Sequence, residues 1–170
     1  GVVMGLHAAY EVFVGGTVIN LDIILTYLPV SILYILSMAM GYVGLRYIEL
    51  SISSPICNSS GALVAVLAIL FDGIAGYSPL ALFAVALVCV GAVGLGVVEA
   101  REDDELRIER QKASNYKYTK SFMALAMPAA YCVLDAAGTF ADSRVLEIIS
   151  RTVEDYEASA NVAYELTFLL

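Results

Sequence analysis

Three stretches without a single charged residue, 23–45, 50–71 and 73–98, constrain this chain more than any other feature. Each is longer than the roughly 20 residues that cross a bilayer core as a helix. With no water there to bond exposed peptide groups, such runs are stable in lipid as helices. Composition agrees: 60% of residues are apolar, 15% are charged, and the mean hydropathy is +0.81. A soluble domain has about 45–50% and about 25%. A soluble enzyme, a disulfide-stapled secreted domain and a disordered chain are excluded. The net charge of −8 argues against nucleic acid as a partner. The chain is predicted to be an all-α, polytopic transmembrane helix bundle whose first partner is the lipid bilayer.

Five crossings and one incomplete helix are expected. The first apolar stretch, Val2 to Ile19, is interrupted by His7 and Glu11 and followed by a polar turn with Asn20 and Asp22. The second, Ile23 to Leu45, carries Pro29 and ends at Arg46. The third, Leu50 to Phe71, contains Pro55 and the polar run Cys57-Asn58-Ser59-Ser60-Gly61. The fourth, Pro79 to Val98, is rich in Ala and Gly, and its Ala92 and Gly96 predict close helix packing. A fifth begins near Ser121 and meets Asp135 about two-thirds of the way along. Cys57, Cys89 and Cys132 all sit in apolar runs, which suits reduced, packed thiols.

Residues 99–120 form a charged linker with six of the nine Lys and Arg residues. Their count places the linker on the cytoplasmic side, together with Arg46. Beyond the fifth crossing, residues 142–157 read as an amphipathic helix at the membrane surface. Val145, Ile148, Ile149, Thr152, Val153 and Tyr156 recur at helical spacing, opposite Glu147, Arg151, Glu154 and Asp155.

Ala9-Tyr10-Glu11-Val12 near the start returns as Ala163-Tyr164-Glu165-Leu166 near the end, each in an apolar helix with polar markers. Transporters are often built from two similar halves. A spanning helix and a surface segment precede the second copy, and nothing comparable precedes the first. The N-terminus is not Met and has no basic signal region, and the C-terminus falls inside the run Leu166 to Leu170. The expectation is an internal fragment of a protein of roughly 300 residues and about ten helices.

Gly44-Leu45-Arg46-Tyr47-Ile48-Glu49, then Ser51-Ile52-Ser53-Ser54 and the apolar run to Phe71-Asp72-Gly73, resembles the drug/metabolite transporter superfamily. More narrowly, it resembles the EamA-type permeases, whose third and fourth helices are joined by an Ala-Leu-Lys-Tyr-like turn. Gly61 stands where that family has a mid-helix Pro, and Ile74 where it has a Glu. The resemblance implies a ten-helix carrier of two inverted five-helix repeats, moving small metabolites in a bacterial plasma membrane. Residues 1–98 are then the second to fifth helices, and 121–170 the start of the second repeat. That family's usual orientation puts the linker outside, against the Lys and Arg count, so orientation is left open. A homodimer is also left open.

Ionisable residues inside a membrane cost a few kcal/mol each and need a partner, so they mark candidate sites. His7 and Glu11 are spaced i,i+4 on one helix face, with Tyr10 beside them. The functional reading makes Glu11 a proton-coupling or cation-binding carboxylate tuned by His7, and the plainer one a structural pair at the interface. The nearest Lys or Arg in sequence is Arg46. Glu165 is the equivalent carboxylate of the second copy. Asn58 and Ser59, one turn after Pro55, either line a cavity beside freed backbone carbonyls or hold helices together. Asp135, a turn after Tyr131, lines a cavity or lies near the far interface, and the interface is favoured. One histidine cannot form a two-His metal site, and no glycine-rich phosphate loop occurs. No enzyme activity, metal or cofactor is expected. The predicted function is secondary transport of a small-molecule substrate by alternating access. The alternatives are a membrane scaffold or sensor, and an enzyme if Asp135, Glu11 and His7 converge.

Overall fold

The computed structural model describes residues 1–48, 50–101, 103–110 and 122–169. Every regular element among them is helical. Helix α1 (Val2–Tyr10) continues as a wider turn over Glu11–Gly15 and is followed by α2 (Leu21–Gly44), α3 (Leu50–Cys57) and α4 (Ser60–Asp72). Then come a short turn of helix at Ile74–Gly76, α5 (Pro79–Arg101), α6 (Asp104–Arg110), α7 (Met123–Ile149) and α8 (Tyr156–Thr167). Among the described residues, four stretches are long and apolar enough to cross a membrane: Leu21–Gly44, Ser53–Asp72, Pro79–Val98 and Met123–Ile149. The chain is an all-α integral membrane protein with several apolar spans.

Local chemistry sets the helix ends. The Asn20 side chain accepts a hydrogen bond from the Ile23 N–H at 2.9 Å and so starts α2. Ser78 does the same for Ala81 at 3.2 Å, with Pro79 in the first helical position of α5, where it loses no hydrogen bond. Between α3 and α4 the chain makes a turn at Asn58 and Ser59. There the Ile56 carbonyl accepts both the Ser59 N–H at 3.2 Å and the Ser59 hydroxyl at 2.6 Å, which closes the turn.

The first apolar run is shorter than its composition implies. Its helical part, Val2–Gly15, is about 21 Å long, against about 30 Å of hydrocarbon. Gly16 ends it in the left-handed region at φ 76°, a conformation that glycine adopts without strain. The Thr17 N–H then closes the turn on the Glu11 carbonyl at 3.0 Å. Four spans are therefore present among the described residues, where five were expected.

A separate surface helix over 142–157 does not form. Residues 142–149 continue α7, and 150–155 are the turn that leads to α8. The helical period in this stretch is real, but its partner is protein. Val145, Leu146 and buried Ile149 pack with Ile23, Tyr27 and Val30 of α2 and with Ala160 and Ala163 of α8. Ser150 and Thr152 return their hydroxyls to the Glu147 and Ile149 carbonyls at the helix end, and Asp155 caps α8.

Two compact units divide the chain: Gly1–Ile35 with Gly138–Leu170, and Leu36–Ala137. In the first, α1 and α8 pack antiparallel. Gly1 lies by the Phe168 carbonyl, His7 by Glu165, and the Val18 carbonyl accepts from the Ser159 hydroxyl at 2.7 Å. In the second, Ile48, Ile56 and Ala124 form a small core with Leu95 and Leu125, and α3 and α4 both pack on α5. Among the described residues, the predicted close packing does not involve the α5 glycines. A Cβ at Gly91, Gly94 or Gly96 would meet nothing within 4 Å. No residue of the α5 span is fully buried by the described residues. Within the predicted linker, α6 is helical; residues 111–120, with Glu49, Glu102, Ser121 and Leu170, lie outside the described residues.

Candidate functional site: a histidine between two carboxylates

The cluster begins with helical spacing on α1. His7 and Glu11 lie one turn apart, with Nε2 and Oε1 separated by 3.8 Å. From α8, Glu165 reaches the other ring nitrogen of His7, its two oxygens 2.9 and 3.0 Å from Nδ1. Because α1 and α8 run antiparallel, the two Ala-Tyr-Glu copies bring both carboxylates to one imidazole. The Thr17 hydroxyl, placed by the Gly16 turn, donates to Glu11 Oε2 at 3.3 Å. Exposure falls across the cluster, from 57% for the His7 side chain to 31% for Glu11 and 16% for Glu165.

His7 lies outside the four spans, and its pKa is raised above 6.5. The hydrogen bond and charge of Glu165 are the main causes; partial desolvation opposes them and Glu11 adds to them. The sign follows directly. The imidazolium pairing contributes fully below the ordinary histidine value and is lost as pH rises through the raised one. The chain has a single histidine, so its ring resonances need no assignment. An NMR titration should give a pKa above that of a free imidazole, and Glu165→Gln should bring it down. A value at or below 6.5 in the parent protein would show that the pair does not form.

The two tyrosines of the repeat differ. Tyr10 is 58% exposed and has no polar partner among the described residues. Tyr164 packs edge-on against Tyr34 at 6.0 Å and Phe168 at 5.1 Å. The remaining predicted residues belong to the second unit. Asn58 is exposed and donates to the Ser54 hydroxyl at 3.1 Å. Ser59 is buried, 3.3 Å from the Cys132 sulfur. Asp135 is half-buried near the midpoint of α7, not towards either end, and no described residue hydrogen-bonds its carboxylate. All three cysteines are free thiols.

One polar pair escaped the sequence reading. The Tyr27 hydroxyl of α2 donates to Asp142 of α7 at 2.6 Å, the length of a charge-assisted bond. Asp142 lies two turns beyond Asp135 on the same helix, a signal visible only once α7 is read as continuous. No family model, curated protein or solved structure matches the chain.

Proposed function

We propose that this chain belongs to a secondary transporter of small metabolites that works by alternating access, in the manner of the EamA-type permeases. The observation that carries this reading is the meeting of the two Ala-Tyr-Glu copies on antiparallel helices, joined through His7. Inverted-topology repeats place equivalent helices antiparallel about a pseudo-two-fold axis, with coupling groups at the repeat interface. Glu11 and Glu165 are then equivalent carboxylates of two five-helix halves, within a ten-helix carrier in a bacterial plasma membrane. His7 hydrogen-bonds Glu165 and lies within ion-pair distance of Glu11, to which the Thr17 hydroxyl donates. A group that gains and loses a proton as the site opens to either side couples solute movement to a gradient. No ATP and no covalent chemistry are required of the protein.

The test is counterflow. Proteoliposomes loaded with one unlabelled solute each, from a panel of amino acids, amines, nucleosides and sugars, should take up the matching labelled solute in at least one case, without ATP. Liposomes with correctly inserted protein that exchange none of the panel would favour a scaffold or sensor.

A further inference from the structure

The second unit contains a cavity of about 300 Å³ that the histidine cluster does not use. It is lined by the α3–α4 break, by positions 89–96 of α5 and by positions 125–133 of α7. At 1.5 Å per residue, those stretches make a slot about 10–12 Å long. Ala92 and Gly96 on the α5 wall keep it open, and a Cβ on Gly96 would meet nothing within 4 Å. None of the described residues that line it is charged. The polar side chains on its wall are Ser59, Cys89 and Cys132. The Ser59 hydroxyl donates to the Ile56 carbonyl at 2.6 Å and lies 3.3 Å from the Cys132 sulfur, so these two are partnered within the wall. The Cys89 thiol is a weak hydrogen-bonding group. Water needs several polar partners to settle in such a space, and this wall does not offer them. An empty slot would forfeit the dispersion contacts of its lining, so the occupant it favours is hydrocarbon.

Placement says which hydrocarbon. Every lining residue belongs to one of the spans Ser53–Asp72, Pro79–Val98 and Met123–Ile149. At one end of the slot, Gly96 is two residues from the end of its span and Leu125 two residues from the start of its own. At the other end, Cys89 and Val133 lie about 14–15 Å from those same termini. The slot therefore runs from close to one membrane face to about the middle of a hydrocarbon core about 30 Å thick. That is the depth of one leaflet.

We propose that the slot holds one acyl chain of a membrane phospholipid, drawn from a single leaflet. Length, depth and an uncharged wall all fit that occupant, and no Lys or Arg on the wall selects its headgroup. The site does not depend on the transport reading.

The experiment is photolabelling of the full protein in phosphatidylcholine liposomes. A small fraction of the lipid carries a diazirine towards the methyl end of one acyl chain, and labelled peptides are read by mass spectrometry. Cys132 is the reporter, because its side chain lines the slot and is 5% exposed, so lipid surrounding the protein does not reach it. Irradiation should label Cys132 in the parent. The double variant Ala92→Leu, Gly96→Leu puts two side chains into the slot and should lose that label. Labelling of Phe83 and Val90, exposed on α5, should be the same in both proteins. Leucine is a better helix former than glycine, so helix content by circular dichroism should hold in the variant. A parent protein without label on Cys132, or a folded double variant that keeps it, would overturn the proposal. Two further measurements do not depend on the variant. A diazirine lipid with a phosphatidylglycerol headgroup should label Cys132 as well as the phosphatidylcholine one does, and a label that requires one headgroup would overturn an acyl-chain site. A charged methanethiosulfonate should leave Cys132 unmodified, and its reaction there would show a water-filled slot and overturn the proposal too.

Discussion

Glu11→Gln in the reconstituted protein is expected to keep solute exchange and to lose uphill transport driven by a pH gradient. Glutamine preserves the shape of the side chain and can still meet the Thr17 hydroxyl, which now lies 3.3 Å from Glu11 Oε2. It cannot take up and release a proton. Exchange needs only that the loaded site reorient, whereas accumulation needs a proton to move with the solute. One pH unit coupled to one proton supports about tenfold accumulation, since a factor of ten is about 1.4 kcal/mol. In Glu11→Gln that ratio should fall to one. Accumulation that survives would remove Glu11 from the coupling role. Loss of exchange along with accumulation, in a protein that is folded and inserted, would do so too. Glu165→Gln should also reduce accumulation, because it removes the closer partner of His7.

The largest effect on stability is expected at Gly44. It is buried near the end of α2, and a Cβ there would lie 3.1 Å from the Met127 Cβ and 3.6 Å from the Pro128 Cδ of α7. Pro128 is itself fully buried. Neither neighbour is the free end of a flexible chain, so a larger side chain has to push the helices apart. Gly44→Leu should cost about 1–3 kcal/mol, the usual range for overpacking a tight contact. Gly91→Leu on α5 is the matched control. A Cβ there meets nothing within 4 Å, and leucine is the better helix former. Denaturation midpoints in detergent should fall clearly for Gly44→Leu and stay level or rise for Gly91→Leu. Equal midpoints for Gly44→Leu and the parent would mean that α2 and α7 do not approach as described.

What the sequence revealed and what it concealed divide along physical lines. The expected run Ile23 to Leu45 became Leu21–Gly44, and Pro79 to Val98 became Pro79–Arg101. Length without charge dictates a spanning helix, and Asn20, Ser78 and Pro79 mark the starts in plain chemistry. The i,i+4 spacing of His7 and Glu11 was equally readable. Glu165 could be joined to them only through the repeat, since nothing local to α8 says that it faces α1.

Failures came where a pattern names a surface but not its partner. The apolar stripe through Val145 and Ile149 looks the same whether it faces lipid or α2, and here it faces α2. With it Asp142 becomes part of the spanning helix α7 rather than of a surface segment. The Gly15-Gly16 pair, in turn, shortened the first run. Both sit inside the uncharged stretch Val12 to Ile19, yet Gly16 at positive φ ends the helix. Small residues in α5 matched a packing motif, yet the described helices leave them open. A crossing that starts near Ser121 puts Asp135 towards its far end, whereas α7 runs on to Ile149 and leaves Asp135 near its midpoint.

The most direct measurement takes the solute identified by counterflow and follows its uptake into proteoliposomes under an imposed pH gradient, with and without a protonophore. Transport coupled through the His7–Glu11–Glu165 cluster predicts accumulation above the bath concentration that collapses when the protonophore is added. Uptake that stops at the bath concentration, with or without the gradient, would contradict it.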